Sequence, residues 1–118
     1  VLCRTLRSSK NILAEMKKRN IPYVISHKDA LNENEAHGVK IMTIHGSKGL
    51  EFQTVILPRL NEGSLPYRKD TLDYQIEEER RLFYVAMTRA KENLFITYIK
   101  KNKGKDVKPS RFLKELFL

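Results

Sequence analysis

Apolar positions follow two rhythms along this chain. Short continuous or alternating apolar runs occur at Val1-Leu2-Cys3, Tyr23-Val24-Ile25-Ser26, Val39 to Ile44, Thr54-Val55-Ile56-Leu57 and Asn93 to Ile99, and each predicts a β-strand. Between them the spacing becomes helical. Ser8 or Ser9 is placed to cap a helix that runs to about Arg19 with Ile12, Leu13 and Met16 on its apolar face, and Asn20-Ile21-Pro22 ends it. A second helix is predicted over Glu77 to Ala90, and a third begins at Pro109-Ser110 and carries Phe112, Leu113, Leu116 and Phe117. The opening strand–helix–strand unit implies parallel pairing through a right-handed crossover. The alternation as a whole predicts an open α/β fold with a mostly parallel sheet flanked by helices.

The polar stretches fall between these elements. Residues 27–38 read as a linker, 45–52 as a glycine-punctuated turn, 59–75 as a long loop with turn signals at Asn61-Glu62-Gly63-Ser64 and Leu65-Pro66, and 100–108 as a basic loop. In open α/β sheets ligands sit beyond the carboxyl ends of the strands. The loops that follow the strands hold Arg4-Thr5, Thr43 to Glu51 and Asn61 to Pro66. Hydroxyls, a histidine, a lysine and glycines are therefore expected along one edge.

Two stretches carry candidate chemistry. Reading Glu77 as the helix start puts three carboxylates in the first turn, where the positive end of the helix dipole favours them. Ile76, Leu82, Phe83, Val85 and Ala86 give the same helix its apolar side. Glu78, Leu82, Val85 and Arg89 share one face, since 4, 7 and 11 residues are close to whole turns. A guanidinium on a rigid element suits the neutralisation of developing phosphate charge, although a cation at a helix C-terminus is also favourable in itself. In the other stretch, Gly46 and Gly49 permit a close turn whose N–H groups, with Lys48, make an anion nest; Thr43, His45 and Ser47 add donors. Taken singly, Gly46-x-x-Gly49 reads as a plain turn, Glu51 as a solvated carboxylate and Arg4 as an ion-pair partner. No Gly-x-x-x-x-Gly-Lys-Ser/Thr sequence is present.

Composition narrows the classes. The 118 residues suit one domain spanning 1–118 with one core, and no apolar run is long enough for a membrane helix. A net charge of +9 and a pI near 9.8 favour a polyanionic partner. The single Cys3 excludes an internal disulfide and reads as a buried, inert thiol in a reducing, cytoplasmic setting. No Cys/His cluster has metal-site spacing. The start inside an apolar stretch is expected of a piece of a longer protein.

Thr43-Ile44-His45-Gly46-Ser47-Lys48-Gly49-Leu50-Glu51-Phe52 resembles motif V of the superfamily 1 DNA helicases of the UvrD/PcrA/Rep type. Glu77 to Ala90 resembles their motif VI, Glu62-Gly63-x-x-Pro66 lies between the two as in that family, and Val1 to Thr5 resembles the arginine-bearing motif IV. The resemblance implies a RecA-like (P-loop NTPase-like) domain 2A, the second motor domain of an ATP-dependent 3′–5′ helicase or translocase, without a Walker A of its own. ATP and Mg²⁺ would be shared with an N-terminal RecA-like domain of the same protein. Arg89 and Arg4 would reach the γ-phosphate as catalytic arginines, and Glu51 would lie near the ribose. Lys48 and Gly49 would support the nucleotide site. Thr43 and His45 would face single-stranded DNA, while Arg80 and Arg81 would brace their helix by ion pairs. The fragment alone is expected to be inactive as an ATPase.

One departure stands out. The family usually inserts a large 2B domain where residues 27–38 form only a short linker, so translocation is the safer expectation than strand separation. Two other readings stay open: a helicase-like module that binds DNA or protein without catalysis, and the motor arm of a helicase–nuclease.

Overall fold

The computed structural model describes residues 1–26, 38–68 and 72–117. The proposed linker at the 2B insertion point, residues 27–38, lies outside the described residues except for Gly38.

Strands β1 (Leu2–Cys3), β2 (Tyr23–Ile25) and β3 (Val39–Thr43) form one parallel sheet, and helix α1 (Lys10–Lys18) connects β1 to β2. The crossover strands β1 and β2 do not pair with each other. β3 lies between them, with Leu2 opposite Met42 and Ile25 opposite Ile41. The reason is apolar content: Ile41 and Met42 are fully buried, whereas Ile25 on the edge strand is 41% exposed. A 3₁₀ turn at Leu6–Ser9, capped by the Thr5 hydroxyl accepting from the Ser8 N–H at 3.3 Å, leads into α1, whose N-cap position is Ser9 as expected but without a side-chain capping bond. The hydroxyls of Ser8 and Ser9 instead donate back to the carbonyls of Thr5 and Leu6. Asn20, at φ 57°, takes the chain out of the helix.

Strand β4 (Phe52–Leu57) lies beside β1 and pairs in parallel with β5 (Ala90–Ile96). Helix α2 (Asp73–Thr88) joins them and starts a full turn earlier than the sequence pattern suggested. The amide of Leu72 is satisfied by the Gln75 side chain, which closes the N-terminus there. Glu77, Glu78 and Glu79 therefore sit in the second turn, and only Asp73 occupies the first. At the other end Arg89 is the C-cap, and Ala90 already belongs to β5. The predicted basic loop is in part a hairpin, β6 (Lys101–Asn102) against β7 (Lys105–Asp106), with Lys103 and Gly104 both at positive φ as a type I′ turn requires. Helix α3 (Arg111–Phe117) completes the chain.

The core lies between the β4 side of the molecule and the two later helices. Val55, Leu57 and Ile44 meet Ile76, Leu82, Phe83 and Ala86 of α2 and Phe112 of α3, and the rings of Phe83 and Phe112 stack at 5.9 Å. Leu116 and Phe117, expected on the apolar face of α3, are instead exposed. Cys3 is buried, and that burial raises its thiol pKa against the opposing hydrogen bond of Ser8, so it stays an inert thiol at neutral pH. Among the described residues no helix is long and apolar enough to cross a membrane.

Candidate phosphate-facing site

The carboxyl ends of β1 and β3 converge on one side of α2. An open cleft of about 340 Å³ is lined there by Arg4, His45 and Lys48 from the two loops and by Glu78, Glu79, Arg81, Leu82 and Val85 from α2. The shared helical face of Glu78, Leu82 and Val85 is thus real and forms the cleft wall.

Arg4 follows directly on β1, and its Nε donates to both carboxylate oxygens of Glu79, at 3.1 and 3.2 Å. Glu79 is 8% exposed. A buried carboxylate must be paired and hydrogen-bonded to tolerate burial, and here its second donor is the backbone N–H of Tyr67 at 2.6 Å. The Arg4 guanidinium also lies over the Tyr67 ring, 5.1 Å from its centre. The loop after β4 thereby closes one side of the site.

The turn after β3 is a 3₁₀ turn, His45–Ser47. The Thr43 hydroxyl accepts from the Gly46 N–H at 3.0 Å, and among the described residues its own O–H has no acceptor. A Cβ at Gly46 would come within 3.1 Å of that hydroxyl oxygen, so glycine lets the turn fold over Thr43 without displacing it. The fully buried hydroxyl of Ser47 donates to the Ile44 carbonyl and serves the turn, not the cleft. Gly49 sits at φ +82°, a conformation that glycine adopts without strain. Desolvation and the charges of Arg4 and Lys48 hold the His45 imidazole below its ordinary pKa, partly offset by Glu79. It is therefore a neutral hydrogen-bonding group at physiological pH.

Arg89 is not part of the cleft lining. Its Nη1 donates to the Leu50 carbonyl at 3.0 Å and its Nε to the Val85 carbonyl at 3.2 Å, which sets it against the backbone that links Gly49 to the exposed Glu51. The main-chain carbonyl of Arg89 in turn accepts from the Phe52 N–H at 2.8 Å. The candidate residues thus form two adjoining groups, Arg4, His45 and Lys48 in the cleft, and Gly49, Glu51 and Arg89 next to it.

Three members of the site were not singled out from sequence as such. Glu79 has a visible signal: Ile76, Glu79, Phe83 and Ala86 recur at helical spacing, so a carboxylate interrupts a buried stripe and demands a cation. Arg81 was expected to brace α2; Arg80 does so, pairing with Glu77 and with Glu115 at 2.8 Å, but among the described residues Arg81 makes no ion pair and faces the cleft. Tyr67 carries no signal, because its contribution is a backbone N–H and a ring held by the fold of its loop.

The cleft can hold an anion. Arg4, Lys48 and Arg81 supply cationic donors, and the described residues contain no group of three or more His, Cys, Asp or Glu side chains placed to hold a metal. The open parallel α/β domain thus carries a cationic cleft at the carboxyl ends of its strands. Residues 25–101 match the family model of the UvrD-like helicase C-terminal domain, and the chain belongs to that family. It is 44% identical over 110 residues to the ATP-dependent DNA helicase Rep of Buchnera aphidicola subsp. Schizaphis graminum, covering 90% of this chain and 17% of that protein. It is 45% identical over 89 residues to Rep of Escherichia coli K12, covering 72% and 13% respectively. A crystal structure of the C-terminal domain of a possible DNA helicase from Lactobacillus plantarum WCFS1 superposes with a TM-score of 0.66 at 25% identity, over 95% of this chain and 58% of that one. The chain therefore spans less than a fifth of these curated relatives.

Proposed function

We propose that residues 1–118 form the 2A motor domain of an ATP-dependent 3′–5′ DNA helicase or translocase. The observation that carries this reading is the cationic cleft at the carboxyl ends of parallel strands, flanked by Arg89 and holding no paired nucleophile and base. It is suited to stabilising charge on a phosphate that another domain binds. ATP would lie between this domain and an N-terminal RecA-like domain of the same polypeptide, and Mg²⁺ held with it by that other domain would supply charge neutralisation at the phosphates.

On this side Arg4 and Arg89 offer guanidinium donors to the γ-phosphate as charge develops. Glu51 stands beside Arg89 for the ribose, while Lys48 and Gly49 shape the turn between the two groups. Thr43 presents an O–H for a single-stranded DNA backbone, and His45, which also lines the cleft with Arg4, adds a neutral imidazole where strand and nucleotide sites would adjoin. Because the arginines come from a second domain, hydrolysis depends on closure of the two domains, and closure moves one along the strand relative to the other.

The decisive experiment is single-stranded-DNA-stimulated ATP hydrolysis by the full-length polypeptide that carries this chain. Arg89→Ala lowers kcat by about 10³-fold or more and leaves DNA affinity within about twofold. Hydrolysis that survives the substitution removes Arg89 from the γ-phosphate. The 118-residue chain by itself shows no appreciable turnover, and robust ATPase from it would overturn the two-domain reading.

A further inference from the structure

We propose that Glu79 is a positioning residue for phosphoryl transfer, holding Arg4 by Nε alone so that both terminal nitrogens of the guanidinium face the cleft. The inference rests on the assignment of Arg4 to the γ-phosphate. A guanidinium carries five N–H donors, one on Nε and four on the two terminal nitrogens. Fork-to-fork pairing with a carboxylate would engage two nitrogens and spend the geometry that suits phosphate. Glu79 does not bind in that way: both its oxygens approach Nε, at 3.1 and 3.2 Å. Among the described residues the terminal nitrogens of Arg4 have no hydrogen-bond acceptor.

Three further features fix the arrangement. The Tyr67 N–H donates to the Glu79 carboxylate at 2.6 Å and sets its plane. The Tyr67 ring supports the guanidinium at 5.1 Å. Glu79 projects from the buried face of α2, among Ile76, Leu82 and Phe83, where its side chain has little freedom. One carboxylate thus ties together the residue after β1, the loop after β4 and helix α2. It lines the cleft beside Arg4 and acts through the direction it imposes on that guanidinium.

This role separates from a structural one in the kinetics. Removing Glu79 leaves the cationic charge of Arg4 in place, so ground-state attraction for ATP persists, while the orientation needed in the transition state is lost. In the full-length polypeptide, Glu79→Ala lowers kcat for DNA-stimulated ATP hydrolysis by about tenfold or more, with KM for ATP unchanged within about twofold or decreased. The Arg4→Ala/Glu79→Ala double variant is no slower than Arg4→Ala alone, because both substitutions remove one unit. Glu79→Gln, nearly isosteric and still an acceptor, recovers part of the rate and decides the matter if the alanine variant does not fold. The proposal is overturned if Glu79→Ala and Glu79→Gln both retain kcat within about twofold while Arg4→Ala loses it, or if the two losses multiply. A fall in kcat matched by a rise in KM and a lowered melting temperature assigns Glu79 to the fold instead. If Arg4→Ala itself leaves kcat unchanged, the assignment of Arg4 fails first, and a loss confined to Glu79 variants then identifies a different function for that carboxylate.

Discussion

The carboxylate of Glu62 accepts from the backbone N–H of Arg111 at 2.7 Å and from its guanidinium at 3.0 Å, joining positions 49 residues apart in sequence. This link holds the first turn of α3 against the loop after β4. Burial alone would raise the Glu62 pKa, but the hydrogen bonds and charge of Arg111 outweigh it and leave the group below its ordinary value of 4.5. Between that lowered value and 4.5 the unfolded chain binds more protons than the folded one, so stability rises with pH there. The contribution is complete above 4.5 and is lost as pH falls through the folded value. Glu115, held down chiefly by its hydrogen bond from Arg80, adds in the same direction. Urea melts at a series of acidic pH values should show the wild-type midpoint falling more steeply than that of Glu62→Gln, which cannot titrate.

His45 titrates in the opposite sense chemically but with the same slope. Its depressed pKa means that the folded domain resists protonating it below 6.5, so that stability is lost as pH falls under that value. Arg4→Ala removes one neighbouring cation and frees the Glu79 carboxylate, and it raises the His45 pKa. Glu79→Gln lowers it further. Ring-proton chemical shifts followed against pH measure both, and an unmoved His45 in either variant would break the electrostatic link across the cleft.

Gly38 lies where the chain re-enters the sheet. Its φ is +116°, and a Cβ there would sit 2.6 Å from the Pro22 carbonyl oxygen, which already accepts from the Val39 N–H at 2.9 Å. Gly38→Ala costs about 1–3 kcal/mol through strain and displacement of that bond. Gly104→Ala also has positive φ but meets nothing within 4 Å. Chemical denaturation of both variants should show the larger loss at Gly38.

The β6–β7 hairpin presents Lys101, Lys103 and Lys105, all exposed, beside Lys100 and Lys108. Replacing Lys101, Lys103 and Lys105 by Gln in the full-length polypeptide weakens single-stranded DNA binding at every sequence. The slope of log affinity against log salt becomes shallower by about 0.7 for each contact removed. Titrations at several salt concentrations measure this, and an unchanged slope would take the hairpin off the DNA path.

Much of the architecture was legible in the apolar pattern, because β1, β2, β3 and α1 each follow a local apolar run, largely buried in β1 and β3 and only partly covered in β2 and α1. The errors lie where long-range pairing decides. Ala90-Lys91-Glu92 has no strand signature, yet it becomes β5 because Phe52 of β4 pairs with Ala90 and draws the segment into register. The early start of α2 depends on one Gln75 side chain capping Leu72, and the lysine-rich stretch folds into a hairpin on a two-residue turn without asparagine. At the site, the meeting of the Arg4 loop and the Thr43 to Glu51 loop on one edge was readable, but the placing of Arg89 outside the cleft was not. Which arginine points into the cleft depends on Glu79 and on the Tyr67 amide, and a backbone donor leaves no trace in side-chain identity.

Arg89 is tied twice to the same three residues, its guanidinium to the Leu50 carbonyl and its own carbonyl to the Phe52 amide. This closed bracket has a mechanical consequence. A side chain on a free helix end would absorb a push by changing rotamer, whereas here the load passes into the first rung of the β4–β5 ladder. Moving the Arg89 side chain therefore gives up the Leu50 hydrogen bond, which couples the end of α2 to the segment that enters β4.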